Sequence, residues 1–206
     1  MKLISGRLTI EISFPLAAVM TAVILYDCSV SVLVCLIAII LHEGGHLLAL
    51  YRNNSFPESI RLTLFDIAIK DTRRAVRGFK QEFTVILAGI ASNILFFAVS
   101  MILNCLFPCI FLRGLAEANL SLALFNSLPV DSLDGGQALL LILSRSHPPD
   151  RAVRIVDIIS LIILFPLLVP GFMLLLQSRY NFSLLLTALY LIAVILCKRR
   201  RTSDDI

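Results

Sequence analysis

Long apolar segments dominate this chain, and one of them carries ionisable residues in its middle. The segment Val30 to Leu41 leads directly into His42-Glu43-Gly44-Gly45-His46, and apolar sequence resumes at Leu47-Leu48-Ala49-Leu50. A run of this length reads as a membrane-spanning helix. Ionisable groups are costly in hydrocarbon, so a cluster of them there reads first as functional. In a helix, His42 and His46 share a face, about 6 Å apart along the axis. That spacing lets two imidazoles hold one zinc ion. Glu43, beside the first ligand, can hold and deprotonate a zinc-bound water. In a soluble sequence such a match could be chance, or a histidine pair used for packing. In an apolar setting the His-Glu-His cluster needs a partner, and a metal is the simplest one.

Composition supports the membrane reading. Of 206 residues, 58% are hydrophobic and 16% charged, and the mean hydropathy is +0.92. A soluble domain of this size would not bury so much apolar surface. No cleavable signal peptide is expected, because the first apolar run lacks a clear small-residue cleavage site. The net charge of +4 is modest and gives no sign of nucleic-acid binding. The cysteines, Cys28, Cys35, Cys105, Cys109 and Cys197, form no CxxC pair, and apolar packing is their expected role.

Six apolar segments are expected as spans, at about 8–26, 29–51, 79–107, 115–143 (interrupted), 153–176 and 181–197. Glu11 makes the first irregular, and Pro166 and Pro170 should kink the fifth. The expected fold class is an all-α polytopic membrane protein of about six transmembrane helices, with a small β-hairpin between spans two and three. Basic residues sort by loop. Arg52, Arg61, Lys70, Arg73, Arg74, Arg77 and Lys80 lie between spans two and three. Arg145, Arg151 and Arg154 lie between four and five, and Lys198-Arg199-Arg200-Arg201 follows the last span. In a six-span layout these share one face with the N-terminus, which makes that face and both termini cytoplasmic. His46 then sits roughly 8–10 Å below the cytoplasmic surface.

Between spans two and three, Ile60, Leu62 and Leu64 alternate with Arg61 and Thr63, and alternation resumes at Ile67 and Ile69. This reads as a small β-hairpin turning at Phe65-Asp66. It is either a surface feature or an edge strand that pairs with an extended substrate.

A catalytic zinc needs a third protein ligand. Span four offers candidates in Asn126-Ser127-Leu128-Pro129-Val130-Asp131-Ser132-Leu133-Asp134-Gly135-Gly136-Gln137. Pro129 should break the helix after Asn126, and the glycine pair leaves the backbone free to bend. A broken helix at membrane depth must line a cavity or be buried in protein. Spacing alone does not choose between Asp131 and Asp134. Asp131 or Ser132 could instead cap the restarted helix.

These residues resemble the site-2 proteases, a family of intramembrane zinc metalloproteases. Family members carry HExxH on one span and NxxPxxxLDGG on a later one. Here the counterparts are His42 to His46, then Asn126-Ser127-Leu128-Pro129 followed by Leu133-Asp134-Gly135-Gly136. Ala88-Gly89-Ile90-Ala91-Ser92-Asn93 is similar to the family's AGPxxN segment, with Ile90 in place of its proline. The matched region is about 30–143. The resemblance implies His42, His46 and Asp134 as ligands of one Zn2+ and Glu43 as catalytic acid/base. Asn126 and Asn93 are candidates for substrate binding or the oxyanion, or for interhelical hydrogen bonds.

One transmembrane metalloprotease domain is expected over 1–206, with core 30–143, accessory spans 1–27 and 150–197, and no PDZ or CBS domain. The compact layout looks like the branch of bacterial sporulation proteases that act on sigma-factor precursors. The expected reaction is hydrolysis of a peptide bond within or near a transmembrane segment of a membrane-protein substrate, in a bacterial cell membrane. The expected partners are that substrate and the lipid bilayer, with a regulatory membrane protein or a second copy as further candidates. The rival reading is a divalent-metal transporter or metal-sensing membrane protein. A single compact His/Asp set and the lack of histidine-rich loops argue against it.

Overall fold

The computed structural model describes residues 2–5, 8–12, 30–53, 59–62, 67–70 and 77–177, with Leu189 and Ile192. The chain divides into two compact units, Met1–Leu124 and Phe125–Ile206.

The first unit contains strands β1 (Lys2–Ser5), β2 (Leu8–Ile12), β3 (Ser59–Leu62) and β4 (Ile67–Lys70) and helices α1 (Val30–Arg52), α2 (Phe79–Leu106) and α3 (Ile110–Asn126), the last ending just beyond the unit boundary. The strands form one sheet in the order β1-β2-β3-β4. β1 and β2 are antiparallel, with Lys2 opposite Glu11 and Ser5 opposite Leu8. β3 and β4 are antiparallel, with Ser59 opposite Lys70 and Leu62 opposite Ile67. The turn expected at Phe65-Asp66 lies outside the described residues. β2 and β3 are parallel, Thr9 opposite Ser59 and Ile12 opposite Leu62. A parallel pair needs a long crossover, and the chain between these strands contains α1.

β3 and β4 are the hairpin strands expected between α1 and α2, and the sheet adds β1 and β2 to them. One expectation is corrected: the first apolar segment does not begin as a span at residue 8. Leu8-Thr9-Ile10-Glu11-Ile12 alternates apolar with polar, the period of a strand, and β3 supplies its partner.

Helices α1 and α2, of 23 and 28 residues, are long and apolar enough to cross a membrane. At 1.5 Å per residue they reach about 34 and 42 Å, against a hydrocarbon core of about 30 Å. Their burial is the reverse of a soluble protein's. Ile40, Leu48, Leu95 and Ile102 are exposed, while His42, Asn93 and Ser100 are buried. Lipid accepts the first set, and helix packing must satisfy the second. α1 ends at Asn53, whose backbone N–H reaches the carbonyls of Ala49 and Leu50, both at 3.1 Å. The Asn53 side chain adds Nδ2–H to Ala49 O at 2.9 Å. α2 starts at Gly78, whose N–H is accepted by Gln81 Oε1 at 3.3 Å, the reciprocal half of a capping box. Beside it, Arg77 Nε and Glu82 Oε2 pair at 3.1 Å. α2 stops where Pro108 follows and Phe107 leaves the helical conformation, at φ −132° and ψ 83°.

The second unit contains α4 (Asp134–Leu143) and α5 (Pro149–Gln177). The expected interruption of span four is present: α3 ends at Asn126 and α4 restarts at Asp134. Val130 and Leu164 are fully buried, and Phe125, Leu128, Leu133, Leu161, Ile163 and Ile192 pack on them. Ala152, Val156, Ser160 and Leu164 are buried at intervals of four, one stripe of α5. Ser160 Oγ accepts the Asp131 backbone N–H at 3.0 Å and donates to Val156 O at 2.8 Å. It thereby ties the non-helical stretch to α5. α5 runs as one helix through Pro166 and Pro170. The expected last span, 181–197, lies outside the described residues apart from Leu189 and Ile192.

Candidate metal centre

α1 carries His42, Glu43 and His46, and one stripe of α2 faces the two histidines. Val85, Gly89 and Asn93 recur every four residues, so they line one side of that helix. Each meets an imidazole differently. His46 Nδ1–H donates to the Val85 carbonyl at 2.8 Å. In a helix that carbonyl also serves the N–H of residue 89, and its second lone pair is free for the imidazole. Asn93 is 0% exposed, and its amide lies 3.2 Å from His42 Nδ1. Gly89 provides space. A Cβ there would stand 2.7 Å from His42 Cε1 and 2.8 Å from His42 Nε2, and would also collide with His46 Nε2.

A second seam holds the helices at this distance. A Cβ on Gly45 would lie 2.5 Å from the Ala88 carbonyl oxygen and 2.7 Å from Ser92 Cβ. Ser92 Oγ donates to Leu41 O at 2.7 Å. Small residues and a hydroxyl-to-carbonyl bond are how apolar helices approach closely in lipid.

The imidazole pair has the geometry of two ligands on one ion. The rings meet edge to face at 83°, and His42 Nε2 and His46 Nε2 stand 3.3 Å apart. Two nitrogens each about 2.0–2.1 Å from a tetrahedral zinc are separated by roughly 3.3–3.4 Å. His42 is buried, at 5% exposure, whereas His46 and Glu43 are half-buried. The donor set suits zinc, and the Gly89 gap leaves room where both Nε2 atoms converge.

Asp134 is the first residue of α4. The helix's N-cap is Leu133, which makes no side-chain cap, so neither Asp131 nor Ser132, the alternative capping residues, stands at the N-cap position. The glycines after Asp134 also work differently from expectation. They lie within a regular helix, and a Cβ on Gly135 would stand 2.6 Å from the Leu128 carbonyl oxygen. One on Gly136 would stand 2.7 Å from Asp131 N. They admit close backbone packing of the non-helical stretch against α4. Asp134 lies in the second unit and offers a carboxylate, a donor that zinc takes beside two imidazoles. Asn126 is the last residue of α3 and is half-buried.

Sequence reasoning singled out His42, Glu43, His46, Asn93, Asn126 and Asp134. It missed Val85 and gave Gly89 no role of its own. Val85 acts through its carbonyl and leaves no side-chain signal. Gly89 and Asn93 had one, a spacing of four across an apolar helix.

No protein-family model matches the chain, and no curated protein matches it by sequence. Among solved structures it is similar to a site-2 protease from Methanocaldococcus jannaschii, with a TM-score of 0.68 and 20% identity over 95% of this chain and 93% of the other. The chain has the fold of that protease.

Proposed function

We propose that this protein is an intramembrane zinc metalloprotease of the site-2 type. The observation that carries the reading is the His42–His46 pair, with Nε2 atoms 3.3 Å apart on a helix apolar enough to cross a membrane. The shared fold at 95% coverage supports it, and nothing found favours a transporter.

His42 and His46 would hold the ion through Nε2, with Asp134 as the third ligand. A zinc ion held there would supply Lewis acidity to the scissile carbonyl and to the attacking water. Glu43 accepts a proton from that water and returns it to the leaving amine nitrogen. Val85 and Asn93 fix the ring planes of the two histidines. Asn126, where α3 ends, holds the extended substrate chain or the developing oxyanion. A helical substrate buries its scissile bond in backbone hydrogen bonds, so it must unwind locally before attack.

The wider expectations belong to the same reading. The chain is one metalloprotease domain with six spans in a bacterial membrane. The basic segments and both termini are cytoplasmic, with the centre near that side. The sharing of one sheet by β1, β2, β3 and β4 supports placing the N-terminus with the α1–α2 connection. Substrates are single-span regulatory proteins, sigma-factor precursors among them. Co-expression with a panel of single-span candidates tests the activity. A fragment that forms with the native chain and is lost in Glu43→Gln is the expected result. Equal cleavage by both chains would overturn the reading.

A further inference from the structure

α5 has two opposite faces from its start to Phe165. Ala152, Val156, Ser160 and Leu164 are buried, whereas Arg151, Arg154, Ile158, Ile162 and Phe165 are exposed. The exposed five recur at spacings of three and four, so they form one stripe on the side away from the buried one. The stripe changes character along its length. Its first turn is cationic and the rest is apolar.

Arg151 and Arg154 are three residues apart on this stripe, with Cβ atoms about 5–6 Å from each other. Both guanidiniums can therefore reach one phosphate. Among the described residues neither guanidinium has an ion-pair or hydrogen-bond partner. Arg113 is the contrast: it is also exposed on a helix, and Glu117 pairs with it at 2.9 Å. Asp150 is exposed at the start of α5, and one carboxylate beside two guanidiniums leaves positive charge in excess. Asp157 is half-buried and held by other contacts.

The apolar part of the stripe matches a lipid leaflet in length. Phe165 lies eleven residues beyond Arg154, about 16 Å along the axis, and one leaflet of hydrocarbon is about 15 Å thick. With the arginines at headgroup level, Ile158, Ile162 and Phe165 meet acyl chains. Phosphatidylcholine balances its phosphate with its own ammonium. Phosphatidylglycerol brings an unbalanced negative charge to the arginines.

We propose that the start of α5 is a binding site for an anionic phospholipid of the phosphatidylglycerol class. Arg151 and Arg154 hold its phosphate in charge-assisted hydrogen bonds, and its chains run along Ile158, Ile162 and Phe165. This rests on reading α5 as a membrane span. On its buried face α5 holds the Asp131 N–H through Ser160. A headgroup that sets the depth of α5 therefore also sets the depth of the non-helical stretch before α4.

The chain contains no tryptophan, so Phe165→Trp creates a fluorophore that reports on the lipid beside this stripe alone. Leu95→Trp, at an exposed position of α2, is the comparison reporter. Each full-length reporter is reconstituted into vesicles of phosphatidylcholine and phosphatidylglycerol, with bromine on the chains of one lipid or the other to quench it. The Phe165→Trp reporter should favour phosphatidylglycerol by about fivefold or more, and each arginine replaced should lower that preference by up to about fivefold. Arg151→Gln with Arg154→Gln should bring it to within about twofold of no preference, and the Leu95→Trp reporter should not respond. Removing two charges elsewhere, by Arg52→Gln with Lys80→Gln, should leave the Phe165→Trp reading unchanged. An unchanged preference in the Arg151/Arg154 double variant would overturn the proposal. So would an equal loss in the Arg52/Lys80 variant, since diffuse surface charge would then explain it. If the Arg151/Arg154 double variant does not fold, the two single variants decide, and no loss in either overturns the site. No quenching of either reporter by either lipid would sink the membrane reading and this proposal with it, whereas equal quenching by both lipids sinks this proposal alone.

Discussion

Replacing Gly89 with alanine should destroy the metal centre while leaving every proposed ligand in place. The new methyl would lie 2.8 Å from His42 Nε2 and 2.7 Å from its Cε1, and also inside contact distance of His46 Nε2. Carbon and nitrogen atoms that do not bond rest about 3.5 Å apart, so the rings or helices must yield by roughly 0.7 Å. Zinc–ligand distances tolerate about 0.2 Å. The displacement is several times that tolerance and strikes both imidazoles at once. Zinc affinity should fall by more than about a hundredfold, beyond the usual loss from a supporting residue. Overpacking should also cost about 1–3 kcal/mol of stability. Gly44→Ala is the matched control. A Cβ there meets nothing within 4 Å, so this variant should keep zinc and gain up to about 1 kcal/mol from helix propensity. Chelator competition and thermal unfolding in detergent measure both quantities. Native zinc affinity in Gly89→Ala would refute the argument that the bare Cα makes room for the ion.

Glu43→Gln should abolish cleavage and retain zinc, because Glu43 carries a proton and binds no metal; zinc analysis beside a cleavage assay checks this, and lost zinc would make Glu43 a ligand. Asp134→Ala should lose zinc and Asp131→Ala should keep it; the reverse outcome in purified protein would displace Asp134 as third ligand. Ser160→Ala strips the acceptor from the Asp131 N–H and should cost about 1–3 kcal/mol, seen as a lower unfolding midpoint.

Much of the centre was legible because its chemistry resides in side chains that apolar helices otherwise exclude. His42 and His46 stand out in their run, and α1 and α2 follow from apolar length alone. Pro129 marked the break before α4. Other elements depended on distant partners. Leu8–Ile12 is five residues fused to an apolar run, and only pairing with β3 makes it a strand. Leu133 caps α4 without a side-chain bond, because the stretch before it is held by Ser160, twenty-nine positions from Asp131. Gly135 and Gly136 read as bending points but are sites of backbone contact. That Asn93 meets His42 depends on how closely α1 and α2 approach, which Gly45 and Gly89 permit but hydropathy does not record.

The two histidines are steadied by different kinds of atom, and this divides what genetics can detect. His42 relies on an amide side chain, so a saturation scan should light up at codon 93. His46 relies on the carbonyl of Val85, which every amino acid supplies. Codon 85 should therefore accept any residue the helix and lipid tolerate, though its oxygen steadies one of the proposed ligands. A map of intolerant positions would mark the side chain that steadies His42 and leave the group that steadies His46 unmarked.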